Sequence, residues 1–547
     1  MPAARRALTL SLSLLVVLAI WFGNLEYRKL VKPDEGRYAE IPREMVATGD
    51  WITPRLNGIK YLEKPPLQYW ATTAAFTLFG EHQWTARLWS ALTGLFGVLA
   101  ILYTGTALFG AEAGLYGALV LGSSFLYVGI AHLNTLDTGT TFFMILALSA
   151  FLLAQRDGVT ARQNRAWMLA AWAAMGLATL SKGLIGLVLP LAALVIYVAL
   201  QRDPSILRRL CLIPGLALML FIAAPWFIAV SLANPEFPGF FVVHEHLQRF
   251  LTAVHRRDEP LLFFVPFLLG GLFPWTVTMI DALIRAWRPR EPGGGFQPRR
   301  FLLIYAAFIF LFFSFSQSKL PPYILPIVPA IALLIGDHLT GITPRILFWQ
   351  TVPVAVLAAA GAAMSPLVRA YAEHAVPLEL LQRYQWWLLA AALSMLAAAA
   401  WALVEFHGGR VRRGAIALAL GGLVMTQLVL SGHETLSPIF STCEIAATIR
   451  PALTPGAPFY SIKMYDQTLP FYLKRTLTLV DFTDEMGFGL EREPALAVPS
   501  LEEFERRWAG ASEAFALMTP ETYDQLAGRG LPMTVLVRDA RRVIVRR

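Results

Sequence analysis

Charge is scarce in this chain, and so are cysteine and lysine. Only 15% of the 547 residues are charged, while 56% are hydrophobic and the mean hydropathy is +0.54. A soluble domain of this size needs a wider charged surface, so that class is excluded. The two cysteines, Cys211 and Cys443, leave no room for a disulfide framework. No short-period repeat is present. The formal net charge is +9. In a soluble protein that balance would point to nucleic acid. Here the placement of the arginines explains it, and no nucleic-acid partner is expected.

What is present in abundance is long apolar runs. Runs of about 18 or more apolar residues match the length needed to cross a bilayer. Thirteen spans are expected, near 7–24, 84–108, 110–129, 139–155, 166–182, 184–201, 209–232, 261–283, 300–317, 321–337, 346–366, 384–404 and 414–432. The first run resembles a signal peptide. It ends in Trp21-Phe22-Gly23-Asn24 without a small-x-small cleavage site, so it reads as an uncleaved helix. Arginines collect in alternate loops, among them Arg156/Arg162/Arg165, Arg202/Arg208/Arg209 and Arg410/Arg412/Arg413. Basic loops stay cytoplasmic. The expected orientation therefore has the N-terminus inside and the C-terminus outside, with the two cysteines on opposite sides. All eight lysines fall on the outer side. The large outer segments are 25–83, 233–260 and 367–383. From about 433 strand-like runs such as "PFYSIK" and "AFALMT" alternate with helix-like ones such as "SLEEFERRWAG". The chain thus divides into a membrane domain, 1–432, and a small outer α/β domain, 433–547.

Against this apolar background the stretch "VKPDEGRYAEIPREM" stands out. Pro33 followed by Asp34 and Glu35 is a helix start, with acids at the positive end of the dipole. Asp34, Arg37 and Tyr38 share one face at spacings of three and four residues. Pro42 is expected to end or kink the helix. A solvated loop with internal ion pairs is the plain alternative. Further outer motifs weigh against it. "NGIKYLEKPPLQYW" supplies Tyr61, Glu63 and Lys64 before a Pro-Pro turn, although Glu63 and Lys64 also suit a surface pair. "LDTGTTFF" puts Asp137 at the mouth of a span, where a carboxylate is either a helix N-cap or functional. "LSKGLIG" adds Lys182, which can alternatively snorkel to the interface. "SKLPPYILPIVP" adds Lys319 and Tyr323 beside a proline-broken helix, a backbone tolerated at a cavity wall. "HEH" supplies His244 and His246, two ligand types that by themselves do not define a metal site. Glu63 is the natural additional ligand. Together these cations suit a lipid phosphate, and the carboxylates suit a hydroxyl, an amine or a metal.

In this order the motifs "DEGRYAEIPREM", "GDWITPRLNGIKYLEKPPLQYW", "LDTGTTFF", "LSKGLIG", "NPEFPGFFVVHEHLQRF" and "SKLPPYILPIVP" resemble the GT-C superfamily of polyprenyl-phosphate-dependent glycosyltransferases. More closely, they are similar to the bacterial lipid A 4-amino-4-deoxy-L-arabinose transferases, relatives of the protein O-mannosyltransferases. The resemblance implies a polytopic α-helical GT-C fold of about 13 transmembrane helices with a periplasmic α/β C-terminal domain, in the bacterial inner membrane. It implies a pentosyl transfer from an undecaprenyl phosphate-aminoarabinose donor to lipid A, conferring resistance to polymyxin and cationic peptides. The family's catalytic acids fall on Asp34 and Asp137. Its carrier-phosphate contacts fall on Arg37, Lys64 and Tyr323, and its cavity tyrosines on Tyr38 and Tyr61. A divalent metal, zinc by analogy, would fall on Glu63 and His244, with His246 able to substitute. A protein O-mannosyltransferase is the nearest competing reading. A lipid-linked sugar flippase is remote, because it predicts charge at mid-membrane depth and the ionisable residues here gather at the outer mouths.

Overall fold

The computed structural model describes residues 2–202, 204–241, 259–288, 295–373 and 376–547. Among the described residues, eight helices are long and apolar enough to cross a membrane. Two bent pairs raise the number to ten if each pair is one span. The bundle runs α1 (Pro2–Phe22), α2 (Asp34–Thr48), α3 (Leu67–Phe79), α4 (Gln83–Phe109), α5 (Ala111–Leu121), α6 (Phe125–Ala131), α7 (Leu136–Ala154), α8 (Ala161–Lys182), α9 (Ile185–Gln201), α10 (Leu212–Ala233), α11 (Phe264–Gly271), α12 (Thr276–Ala286), α13 (Pro298–Phe315), α14 (Val328–Leu339), α15 (Pro344–Met364), α16 (Leu378–His407) and α17 (Val411–His433). Each of the thirteen expected spans coincides with one of these helices or a broken pair. The breaks fall between α5 and α6, bent by 65°, and between α11 and α12, bent by 107°.

Burial sorts the helices. In α7, 83% of the apolar window is buried, and in the proline-rich segment Pro321–Leu339, 89%. These two form the axis of the bundle. In α10 only 22% is buried, and Ile213, Phe221 and Leu232 point outward. Such a face is stable only against hydrocarbon, which makes this a multi-pass membrane protein. Small residues let the inner helices approach: a Cβ on Gly336 of α14 would sit 2.5 Å from the Ala113 carbonyl of α5.

The first outer segment carries no long helix besides α2 and α3. α2 runs unbroken through Pro42 to a left-handed Gly49. The expected end at Pro42 is therefore incorrect. Proline removes one intrahelical donor. Ala39, Ile41 and Met45, all buried, hold the helix together on both sides of it, as does a two-point ion pair between Arg43 and Glu40. A short hairpin of β1 (Arg55–Leu56) and β2 (Ile59–Lys60) follows.

The C-terminal unit begins with α18 (Cys443–Ile449). It continues with β3 (Phe459–Ile462), α19 (Leu469–Leu473), β4 (Thr478–Val480), α20 (Gly487–Arg492), β5 (Ala497–Val498), α21 (Leu501–Gly510), β6 (Phe515–Met518), α22 (Pro520–Gly528), β7 (Thr534–Arg538) and β8 (Val543–Arg546). Its six strands form one sheet in the order β5-β4-β3-β6-β8-β7. The first four are parallel, and β8 alone is reversed, pairing antiparallel with β6 on one side and β7 on the other. The strand-like and helix-like runs read from sequence all fall on these elements. The unit is clamped to the membrane domain. Arg542, 1% exposed, donates to the carbonyls of Pro438 and Ser441 in the connector that follows α17. Asn57 exchanges two hydrogen bonds of 2.7 Å with the backbone of Leu477. Gly36 lies against Gln467, where an added Cβ would meet backbone at 2.6 Å. Only glycine fits between Glu35 and Arg37.

Candidate active site

The four residues Asp34-Glu35-Gly36-Arg37 send their side chains, or their lack of one, to four different places. Glu35 turns inward. Arg87 grips it with two hydrogen bonds of 2.7 Å, and the backbone N–H groups of Val31 and Asn134 donate to it as well. Burial alone would raise the Glu35 carboxyl pKa, but the charge and hydrogen bonds of Arg87 hold it below the usual carboxylate range. Arg87 spends its remaining donors on the carbonyls of Leu25, Arg28 and Lys29. This pair is structural.

Asp34 and Arg37 face the other way. Arg37 donates to Asp34 at 3.0 Å. Its second terminal nitrogen pairs with Glu485, between β4 and α20 of the C-terminal unit. The guanidinium also lies near the rings of Tyr38 and Tyr61, 5.7 and 5.9 Å from their centroids. Its Nε is buried without a partner, as is the Tyr61 hydroxyl. The Asp34 side chain is 46% exposed. Burial pushes the Glu485 carboxyl up, and Arg37 and the Gln467 amide, at 2.7 Å, oppose the rise. Burial also raises the Tyr38 phenol, with Asp34 adding to the effect, so Tyr38 stays a neutral donor at pH 7. Asp34, Arg37, Glu63 and Asp137 all act on Tyr38 electrostatically. Residues from two distant outer motifs therefore surround one phenol.

Lys64, 9% exposed, donates to the Glu63 carbonyl at 3.0 Å and lies 3.5 Å from its carboxylate. Among the expected alternatives, a freely solvated pair does not fit this burial. Lys182 does not snorkel. Its ammonium is bonded to Asp137 and stands 5.0 Å from the Tyr323 ring centroid. Asp137 is not the N-cap of α7; Thr135 holds that position and Asp137 sits in the first turn. Lys319 is tied to the Glu259 carbonyl at 2.8 Å. Tyr323 lies in the 3-10 turn Pro321–Ile327 that precedes α14. His244 and His246 lie outside the described residues. Among the described residues no group of three or more His, Cys, Asp or Glu is placed to hold a metal ion.

Sequence reasoning missed Glu485 and Tyr69. Tyr69 is fully buried, with its ring 6.1 Å from that of Tyr38 and its hydroxyl unpartnered. It stands in the quoted "PPLQYW" motif, where an aromatic after a turn reads as packing. Glu485 stands in a polar loop of the C-terminal unit. An acid placed before a helix-like run was the sole signal, and it does not reveal a partner in the first outer segment.

An arginine cradled by two carboxylates and two phenols, with one lysine-carboxylate pair inside a neighbouring motif and a second joining two others, can neutralise a phosphate and orient a polar group beside it. A polytopic bundle with such a cluster at one end and a small α/β unit over it is the architecture of a membrane glycosyltransferase of the GT-C type. The family model for the aminoarabinose transferase C-terminal domain matches residues 445–547. That for dolichyl-phosphate-mannose-protein mannosyltransferase matches residues 63–228. The crystal structure of ArnT from Cupriavidus metallidurans bound to undecaprenyl phosphate superposes with a TM-score of 0.94 at 40% identity, covering 98% of this chain and 97% of that one. An oligosaccharyltransferase from Archaeoglobus fulgidus, 14% identical, shares the fold at a TM-score of 0.50, covering 93% of this chain and 70% of that one. The undecaprenyl phosphate-α-4-amino-4-deoxy-L-arabinose arabinosyl transferase of Enterobacter sp. (strain 638) is 30% identical over 437 residues, 75% of each chain. The enzyme of that name from Erwinia tasmaniensis is 33% identical over 317 residues, 57% of this chain and 56% of its own length. The chain belongs to the aminoarabinose transferase family.

Proposed function

We propose that the protein transfers 4-amino-4-deoxy-L-arabinose from undecaprenyl phosphate to lipid A phosphates at the periplasmic face of the inner membrane. The cradle around Arg37 carries this reading, beside a 40% identical neighbour whose crystal structure holds undecaprenyl phosphate. The positive-inside distribution of arginine supports a cytoplasmic N-terminus and a periplasmic C-terminal unit.

As the glycosidic bond breaks, negative charge grows on the carrier phosphate. Arg37 and Lys64, helped by Tyr323, would stabilise it in a site of low dielectric. The acceptor decides what Asp34 does. A phosphate monoester has a second pKa near about 6 and is largely anionic at neutral pH, so it needs no base. Asp34 and Asp137 then position the ammonium-bearing sugar. With a hydroxyl acceptor, Asp34 would be a general base. The half-exposed Asp34 and the Lys182-held Asp137 favour positioning. A divalent metal such as zinc at Glu63, His244 and His246 stays a proposal from family resemblance and takes part in no step here.

Mass spectrometry of lipid A from polymyxin-challenged cells, with and without the gene, tests the reading. An aminoarabinose mass shift that depends on the protein is expected. Its absence sinks the substrate assignment.

A further inference from the structure

The ends of the helices remote from the candidate site hold a cavity of about 510 Å³. Arg410 comes from the turn between α16 and α17, and Arg412 and Arg413 from the first turn of α17. The start of α5 supplies Glu112 and Tyr116, and the end of α14 supplies Thr340. α17 has 23 residues, so about 34 Å of helix separates these arginines from the outer end of the bundle. Arg410 is bound to Glu405. Arg412 and Arg413 are exposed and form no ion pair among the described residues. Tyr116 is 3% exposed and lines the cavity, and its hydroxyl has no hydrogen-bond partner among the described residues. The first N–H groups of α17 open onto the same space, adding the positive end of its dipole.

A positive-inside bias accounts for basic residues in this turn. It does not account for a cavity beside them or for the side chain of Tyr116 lining it. Two unpaired guanidiniums, Arg412 and Arg413, a phenolic donor and a helix N-terminus form a receptor for a phosphate diester, and the single carboxylate Glu112 leaves the lining net positive. The neighbouring surface is the membrane interface. We propose that this cavity binds the head group of an anionic phospholipid. Its phosphate lies against Arg412, Arg413 and the Tyr116 hydroxyl, and its acyl chains lie along α5 and α17. Basic pockets between helix ends are a known form of lipid head-group recognition. The site lies on the face opposite the proposed transfer chemistry and does not depend on that reading.

The test is native mass spectrometry of the full-length protein in detergent. It is challenged with phosphatidylglycerol, with phosphatidylethanolamine, and with glycerol phosphate as a soluble anion. Undecaprenyl phosphate binding is measured in parallel. Phosphatidylglycerol should be retained in preference to phosphatidylethanolamine, and glycerol phosphate should not displace it. Retention should fall by about fivefold for each guanidinium removed in Arg412→Gln and Arg413→Gln. Arg412→Lys/Arg413→Lys, which keeps the basic count that sets orientation, should fall less. Tyr116→Phe should cost about threefold. Undecaprenyl phosphate binding should match wild type in every variant, which also reports that they fold. Unchanged retention in the glutamine and phenylalanine variants overturns the proposal. So does equal retention of phosphatidylethanolamine, or displacement by glycerol phosphate, which would assign the cavity to a soluble anion. Failure of wild type to bind undecaprenyl phosphate would count against the proposed function alone.

Discussion

Two adjacent acids make the most instructive comparison in this molecule. Glu35 and Asp34 sit side by side on one helix turn and each pairs with an arginine. Beside Glu35 every donor of its partner Arg87 is answered, and Arg87 is fully buried. Around Asp34 the carboxylate is half exposed and Arg37 keeps a buried nitrogen unanswered. The satisfied pair builds the wall. The unsatisfied one is available to a ligand.

Breaking the closed pair should have the largest effect. Arg87→Met leaves a buried carboxylate without its counter-charge and should destabilise the fold by about 3–5 kcal/mol. Thermal unfolding in detergent measures it, and a melting temperature equal to wild type would remove the distinction drawn here. Asp34→Asn should do the reverse. It should keep the melting temperature within a few degrees and lower transfer by about a hundredfold, about 2.7 kcal/mol of barrier, in a single-turnover assay. If it unfolds the protein as Arg87→Met does, the two acids are alike after all.

Gly36→Ala lies between the two. Its Cβ would strike the backbone of Gln467, costing about 1–3 kcal/mol and loosening the C-terminal unit, which limited proteolysis would detect. The smallest effect concerns pH. The Glu35 carboxyl is held below its unfolded value, so its stabilising contribution is present above about pH 4.3 and is lost as pH falls further. Acid unfolding of Glu35→Gln should start from lower stability and show a shallower pH slope. An unaltered slope would mean that Glu35 is not the acid-sensitive member.

Much of this site was legible in the sequence because its parts are local. Asp34 and Arg37 are three residues apart on a helix with an identifiable start, and apolar run length located the spans. The rest was not legible for physical reasons. Pro42 reads as a helix breaker until the tertiary packing of Ala39, Ile41 and Met45 is known. Two acids in a row do not announce which one faces the core; Arg87, which decides it, lies 52 residues further on, near the start of α4. Lys182 could be read as snorkelling or as paired, and only the meeting of α7 and α8 chose. Glu485 is a single acid in a loop until the sheet unit is folded against α2.

The pairing of Arg37 with Glu485 joins residues separated by most of the chain. The first outer loop therefore leaves the ribosome, and its helices enter the bilayer, long before its partner carboxylate exists. During that interval Arg37 has Asp34 but no second counter-ion, and the space that Gln467 will occupy beside Gly36 is open. The cradle is complete only when the sheet unit docks. Synthesis order thus acts as a safeguard: a half-made chain presents a membrane bundle without a finished site.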